Sequence, residues 1–248
     1  MPTLYNGSDN TTDQLLKLVN MKRDINSLIG YKIAATDGDL GTVKDFYFDD
    51  KTWTIRYLVV ETGGWLSSRK VLISPQSVLT DYGTTGKFSV SLTTEQIKNS
   101  PDIDTDLPVS RQQEEILHMH HSWENYWEST FFGGGNTADA IPAVEVENAN
   151  DDELPKATYD VSLQSAKNVS GYHIHAIGGE IGHLNNYILD DQTWTITDLV
   201  IDTANMIGGK KVLVPVSNVD ALQWSNYEVY LNITPEAVEN SAVYIPVE

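Results

Sequence analysis

The chain of 248 residues contains no cysteine. Disulfides, thiolate metal sites, iron–sulfur clusters and a cysteine nucleophile are therefore excluded. Basic residues are scarce as well, since 16 Lys and Arg stand against 35 Asp and Glu and the formal net charge is −19. This excess of negative charge opposes nonspecific binding to nucleic acid or to an anionic membrane. We therefore expect no nucleic-acid partner.

Long apolar runs are also missing. No stretch approaches the roughly 18 apolar residues of a membrane-spanning helix, and the start of the chain lacks the basic and apolar segments of a secretion signal. We expect no integral membrane segment and a cytoplasmic location. The sequence has no G-x-S-x-G, P-loop or G-x-G-x-x-G motif. It therefore predicts no catalytic residue and no cofactor.

The strongest positive feature is an internal repeat. Residues 30–78 match residues 171–219 at a constant offset of 141 without a gap. The offset aligns glycines, acidic pairs and a tryptophan, including Gly38 with Gly179, Gly41 with Gly182, and Trp53 with Trp194. A repeat of this kind predicts two units of the same fold in one chain.

Each unit has the pattern of a small all-β domain, with short β-branched and aromatic runs between turn residues. The predicted strands are 31–35, 41–48, 53–61, 70–74 and 87–92, and then 172–176, 182–189, 194–202, 211–215 and 228–233. Asp49-Asp50 and Asp190-Asp191 begin polar breaks that are typical of hairpin loops. Helix-start signals at Thr93 and Thr234 predict short closing helices over about 94–99 and 235–240.

These residues resemble the PRC-barrel family. The resemblance rests on a glycine–aromatic opening strand, the G-x-x-G turns, the acidic hairpins, a long Val/Ile strand, and Lys70-Val71-Leu72 or Lys211-Val212-Leu213 before a proline-containing turn. It covers about residues 22–100 and 163–248. It implies an all-β chain of two small PRC-type barrels in tandem, each closed by a short helix.

For function, the resemblance implies docking on a larger complex as an adaptor or assembly factor, with no catalytic site shared across the family. The family is named for the cytoplasmic part of the photosynthetic reaction centre H subunit. A similar role in light-driven electron transfer is therefore a further alternative. It is the weaker one, because we expect no membrane anchor in this sequence.

The predicted domain organisation is an N-terminal segment 1–21, a first barrel 22–100, an acidic linker 101–167 and a second barrel 168–248. The linker carries a net charge of −11, and the two barrels carry +1 and −8. We therefore expect basic residues of the first barrel to face acidic residues of the second barrel or of the linker, in particular Lys44, Arg56, Arg69 and Lys70 against Asp198, Asp202 and 151–153. The alternative is that the acidity of the second repeat only aids solubility.

Within the linker, apolar and aromatic residues at spacings of three and four predict an amphipathic helix over 111–131. Its aromatic residues lie outside the repeat, so they must pack against a barrel or against another chain. The candidate interaction residues are Trp123, Tyr126, Trp127 and Phe131.

Histidines provide the only weak metal candidates. His118, His120 and His121 lie close together in the predicted helix, but their side chains point in different directions. We interpret them as a half-exposed cluster and assign no metal site. His173 and His175 alternate along a strand and face the same side, and we interpret them as polar surface positions.

Two functional hypotheses follow. The first is a noncatalytic scaffold or adaptor that assembles with a protein partner or with a second copy of the chain as a homodimer. The alternative is a ligand or metal sensor with its site at the linker helix or between the barrels, where two domains would form a groove.

Overall fold

The computed structural model describes residues 22–63, 69–79, 86–101, 109, 111–127, 163–204, 209–223 and 225–246. The first repeat contains β1 (Lys22–Asp24), α1 (Ile25–Leu28), β2 (Lys32–Ala35), β3 (Gly38–Asp49), β4 (Thr54–Thr62), β5 (Lys70–Ile73), β6 (Lys87–Ser89) and α2 (Thr94–Lys98). Helix α3 (Arg111–His121) follows. The second repeat contains β7 (Leu163–Ser165), α4 (Ala166–Val169), β8 (His173–Ala176), β9 (Gly179–Asp190), β10 (Thr195–Asp202), β11 (Lys211–Pro215), β12 (Val219–Gln223), β13 (Glu228–Leu231) and α5 (Pro235–Glu239).

The strand-rich architecture is confirmed, and the two repeats have the same strand order. The order is β5-β4-β3-β2-β6 in the first repeat and β11-β10-β9-β8-β13 in the second. Three β-bulges also recur, with the extra residue at Leu40 and Ile181, at Lys44 and Asn185, and at Arg56 and Thr197. A bulge determines which face of the sheet each following side chain occupies. Equivalent side chains of the two repeats therefore lie on the same face.

The sheet does not form the closed barrels that the sequence predicted. All described strands belong to one 13-stranded sheet, whose path runs from β12 at one end to β6 at the other without closure. The two repeats join where Thr54 of β4 pairs with Thr195 of β10. At this junction Ile55 N–H donates to the carbonyl of Trp194, and Ile196 N–H donates to the carbonyl of Trp53, both at 2.7 Å. These reciprocal bonds give the junction an approximate two-fold symmetry.

The repeats also exchange their first strands. β1 of the first repeat pairs with β9, with Lys22 opposite Asp190, and β7 of the second repeat pairs with β3, with Leu163 opposite Asp49. The two registers differ by the same offset of 141 that relates the sequences. The second repeat therefore begins at β7, within the range 101–167 that the sequence assigned to the linker.

A polar pair holds each exchanged strand, and it is buried in the first case and half-buried in the second. Asp24 caps α1 by accepting from Asn26 N–H at 2.9 Å, and Asn186 of β9 donates to the same carboxylate. At the equivalent place Ser165 caps α4 and donates to Asp45 of β3 at 2.5 Å. In the first pair the carboxylate belongs to the exchanged strand β1, and in the second it belongs to β3, against which the exchanged strand β7 pairs. Each pair therefore contains one carboxylate.

One hydrophobic core runs through both repeats. Phe48 of the first repeat contacts Tyr187 of the second at 5.7 Å between ring centroids, and Phe88 contacts Trp194 at 5.9 Å. The alternating strand pattern predicts burial of the central residues, and all are buried except Leu213, which is half-buried: Leu58, Val59, Val71, Leu72, Leu199, Val200, Val212 and Leu213. Since the exchanged strands and the core both cross the boundary, the described parts of the repeats form one packed unit.

The predicted charge pairing between the repeats occurs at Asp198, but its basic partner is not one of the four that the sequence predicted. Lys44 pairs with Glu61 at 2.9 Å and Arg56 pairs with Asp49 at 3.1 Å, so both bind within the first repeat. The ion pairs between repeats come from β1, where Lys22 binds Asp198 and Arg23 binds Asp191, each at 2.9 Å. The physical reason is the strand exchange, which lays the basic start of the first repeat along the second.

The linker helix is shorter than the predicted 111–131. α3 ends at His121 because Ser122 adopts a left-handed conformation with φ of 56°, and Trp123 N–H then donates to the carbonyl of His118 at 3.0 Å. A left-handed residue at this point reverses the chain direction. No helix in the described part of the chain has the length and apolar character needed to cross a membrane.

Candidate functional site

Helix α3 is the main addition to the repeated framework among the described residues, and it packs on the outer face of the first repeat. Its buried Leu117 belongs to a small apolar cluster with Tyr57, Val59 and Leu72 of β4 and β5. An isolated helix of eleven residues is marginal in water. The packing of its inner side against the sheet therefore determines whether α3 forms.

A buried polar network fixes the helix in place. Glu114 has no solvent exposure, and its carboxyl group accepts from the hydroxyls of Tyr57 at 2.7 Å and Tyr126 at 2.5 Å. His118 Nε2 lies 2.9 Å from the same Tyr57 hydroxyl, and its Nδ1 lies 3.0 Å from the carbonyl of Glu124. Buried polar groups that satisfy one another hold a single geometry.

The proton arrangement of this network follows from its members. The Glu124 carbonyl only accepts, so His118 Nδ1 carries a proton. Tyr57 donates its one hydroxyl proton to Glu114, so its contact with His118 Nε2 uses the phenolic oxygen as the acceptor.

The three histidines of α3 bind different partners. His120 Nε2 lies 3.0 Å from the carbonyl of Gln96, and His121 Nε2 lies 3.1 Å from the hydroxyl of Ser100. His118 is held in the Glu114 network. In the described part of the chain, these imidazoles are not grouped around a common point. His118 and His121 are buried and His120 is exposed, so the predicted half-exposed cluster is wrong for two of the three.

His121 makes the stability of the fold depend on pH. Burial, with smaller contributions from the charges of His120 and His118, lowers the pKa of His121 from 6.5 to about 4. The folded state therefore favours the neutral ring, so this stabilisation is complete above pH 6.5 and is lost as the pH falls toward 4. Between pH 7 and pH 5 we expect the free energy of unfolding to fall by about 1–2 kcal/mol more in the wild type than in His121→Phe. Urea titrations at both pH values would measure this, and equal losses in the two proteins would contradict it.

The predicted interaction residues fasten α3 to the first repeat. Trp123 stacks on His121 at 4.4 Å and donates from its indole nitrogen to Ser77 at 2.7 Å. The ring of Tyr126 lies under the guanidinium of Arg56 at 3.8 Å, and Trp127 contacts His118 at 4.9 Å. These three side chains are half-buried. Phe131 lies outside the described residues.

The acidic hairpins have the turn chemistry that the sequence predicted. Asp49 accepts from the N–H groups of Lys51 and Thr52 at 3.0 and 3.1 Å. Asp190 makes the same two bonds, to Gln192 and Thr193, at 2.9 and 3.1 Å. A side chain that bonds the backbone of its own loop stabilises the turn.

A comparison with known protein families finds a match within the first repeat. Residues 22–84 match the PRC-barrel domain. This match contains β1 to β5, and the second repeat lies outside it. A protein of Deinococcus radiodurans described as uncharacterised is 31% identical over 111 residues. That alignment covers 42% of this chain and 39% of the relative, so the chain spans well under half of the relative's length. The predicted likeness to the reaction centre H subunit stays a prediction.

A groove of about 860 Å³ lies where the PRC-barrel domain meets the second repeat. Residues of α1 and α4 line it together with Asp45 and Tyr187, and the lysines that line it are Lys44, Lys70 and Lys167. Burial raises the pKa of the Asp45 carboxyl group, although hydrogen bonds from Ser165 and the backbone of Lys167 oppose that change. Both polar and apolar side chains line the groove, which suits a small ligand.

A second set of polar side chains lies outside the match to the PRC-barrel domain. His173 of β8 faces Glu180 and His183 of β9, with 2.9 Å between His173 Nδ1 and a Glu180 oxygen. Sequence reasoning found His173 but missed Glu180 and His183, because the register of two strands determines that they meet. The sequence did contain one signal for this group, because each strand of one predicted hairpin carries a histidine.

Proposed function

We propose that this chain is a noncatalytic adaptor made of two PRC-barrel-type repeats in tandem, and that it binds a protein partner through the outer side of α3. The tandem interpretation is supported by the common strand order and by the recurrence of all three bulges. The family resemblance favours a docking role for such a unit.

The observation that carries the proposal is an exposed apolar pair on α3. Ile116 and Met119 are 56% and 82% exposed. They are three residues apart, so they lie next to each other on the outward side of the helix. Methionine adapts its shape to a partner surface, which suits a docking role.

The pair sits on a rigid base. The side chain of Gln76 exchanges two hydrogen bonds with the backbone of Glu124, at 3.0 and 3.1 Å, just after the helix. Together with the Glu114 network, these bonds fix α3 before any partner arrives. A prearranged helix loses less conformational entropy on binding than one that must fold.

The structure favours a different protein over a second copy of the chain as the partner. The edges through which the repeats contact each other are already paired within one chain, at β4 with β10, β1 with β9 and β7 with β3. Because the chain carries a net charge of −19, the matching partner surface has an apolar residue surrounded by basic ones.

Site-specific photocrosslinking tests the proposal. A photoreactive residue at Met119 should give one discrete adduct with a second protein in cells of the source organism. The same residue at Ala237, which is exposed on α5 of the second repeat, should not give that adduct. With the adduct partner purified, Ile116→Glu should weaken its binding by at least about tenfold, because it places a charge in the apolar contact.

Each other outcome has a clear meaning. Adducts between two copies of the chain would support the homodimer and contradict a separate partner. Equal adducts from Met119 and Ala237, or none, would contradict docking on α3.

The groove at the junction supports the second candidate function, a ligand sensor. Its three lysines outnumber Asp45 and Glu61 in the lining and so favour a small anionic ligand, although Lys44 already pairs with Glu61. The test is a thermal-shift screen of small anions with Lys167→Ala as the comparison. A ligand whose shift requires Lys167, together with failure of the Met119 crosslink, would favour the sensor over the adaptor.

A further inference from the structure

The surface of the β8–β9 hairpin brings together two histidines and one glutamate from different places in the sequence. Ligand atoms of His173, Glu180 and His183 all lie within 4.8 Å of one another, and the two imidazole rings are 4.6 Å apart. His173 and Glu180 are exposed and His183 is half-buried. The group is open to solvent on one side.

A bulge creates this group. Glu180 and His183 are three residues apart on β9, and an odd spacing on a regular strand places side chains on opposite faces. The extra residue Ile181 restores them to one face, because β8 pairs His173 with His183 and His175 with Glu180. His173 then stands directly opposite His183.

We propose that His173, Glu180 and His183 form a binding site for a divalent transition metal, best matched by Zn²⁺. Two imidazoles and one carboxylate are a common ligand set for zinc, which binds them at about 2.0–2.2 Å. Tetrahedral bonds of that length separate ligand atoms by about 3.3 Å. Small rotations of exposed side chains bring the present separations to that value, and water completes the coordination.

The neighbouring side chains suit a metal at this position. His175 Nε2 lies 3.4 Å from a Glu228 oxygen, and the Tyr230 hydroxyl donates to the other oxygen at 2.7 Å. The ring of Tyr230 stacks on His175 at 5.0 Å. A second imidazole–carboxylate pair therefore flanks the group and adds negative charge that attracts a cation.

The first repeat provides an internal comparison. Its equivalent positions are Lys32, Asp39 and Thr42. A lysine amine stays protonated at neutral pH and repels a metal ion. Since the strand pairing and the bulge are the same in both repeats, the His173→Lys and His183→Thr changes introduce residues that this framework already carries.

Calorimetric titration of the full chain with Zn²⁺ alone tests the site. We expect one zinc ion per chain and a rise in Tm on zinc addition. Affinity should fall by more than about 100-fold in the double variant His173→Lys/His183→Thr, since even changes in residues that merely support metal ligands cost 10–100-fold. His120→Asn on α3 is the matched control and should keep the wild-type affinity.

Several results would overturn the proposal. These are a wild-type chain without saturable zinc binding, unchanged affinity in the double variant, or loss of binding in His120→Asn with binding retained in the double variant. The last result would move the site to the linker helix. If circular dichroism shows that the double variant is unfolded, the exposed variant Glu180→Gln replaces it. Unchanged zinc affinity in that variant would overturn the proposal.

Discussion

Replacing Gly41 by alanine is expected to destabilise the chain by on the order of 3 kcal/mol and to lower Tm by about 10 °C. Gly41 sits beside the bulge of β3, where a Cβ atom would overlap the carbonyl group of Glu61 on β4. Backbone atoms of a paired strand cannot move aside as a flexible side chain can. The two longest strands of the first repeat would therefore have to separate at this point.

Gly38→Ala is the matched control. Gly38 lies on the same strand, but a Cβ there would meet only the methyl group of Thr94 at 3.7 Å. We expect this variant to unfold within about 0.5 kcal/mol of the wild type in urea titrations. Equal stability of the two variants would contradict the close strand approach. A Cβ atom added at Gly182 would overlap the carbonyl group of Asp202 in the same way.

Removing the carboxylate of Asp24 is expected to destabilise the chain by about 3 kcal/mol. This buried group accepts from the backbone of Asn26 at 2.9 Å and of Ser27 at 3.4 Å, and also from Asn186 and the hydroxyl of Tyr244. In Asp24→Ala these donors lose an acceptor that is itself only 6% exposed. Urea unfolding at neutral pH measures the loss.

The equivalent pair in the second repeat supplies the control. Asp24→Ser alone should be destabilising, whereas Asp24→Ser with Asn186→Asp recreates the arrangement of Ser165 and Asp45. We expect the second change to recover at least about 1 kcal/mol in a double-mutant cycle. Additive losses would show that the two residues do not interact.

Tyr244 gives an independent readout of the same site. Burial, followed by the hydrogen bond and charge of Asp24, raises the pKa of Tyr244 to about 12. In Asp24→Ala the two contributions of the carboxylate disappear and the pKa should move toward 10. An ultraviolet titration, with Tyr244→Phe to identify the signal, measures this value.

Much of the regular structure follows from local sequence. β11 has the bounds predicted for it, and Thr93 and Gln96 form the capping box at α2. Strand alternation, turn residues and caps act over a few residues, so the sequence expresses them directly. The duplicated hairpins were predictable for the same reason.

Long-range pairing was not predictable. β1 and β7 have three residues each, too few for a periodic pattern, and each pairs with a strand more than 100 residues away in the chain. The exchange of these strands and the open sheet therefore came only from the structure. The cluster of His173, Glu180 and His183 was missed for a related reason, since it depends on a bulge.

The strand exchange also determines when the protein can fold during its synthesis. Lys22 pairs with Asp190, and Asp49 pairs with Leu163. The first repeat therefore leaves the ribosome with the edge of β3 unpaired and with β1 lacking its partner, and it stays incomplete until most of the chain has been made. The native pairing of β1 and of the β3 edge therefore cannot form while only the first repeat has been made, and we expect the nascent chain to expose these strand edges for longer than one built from independent domains.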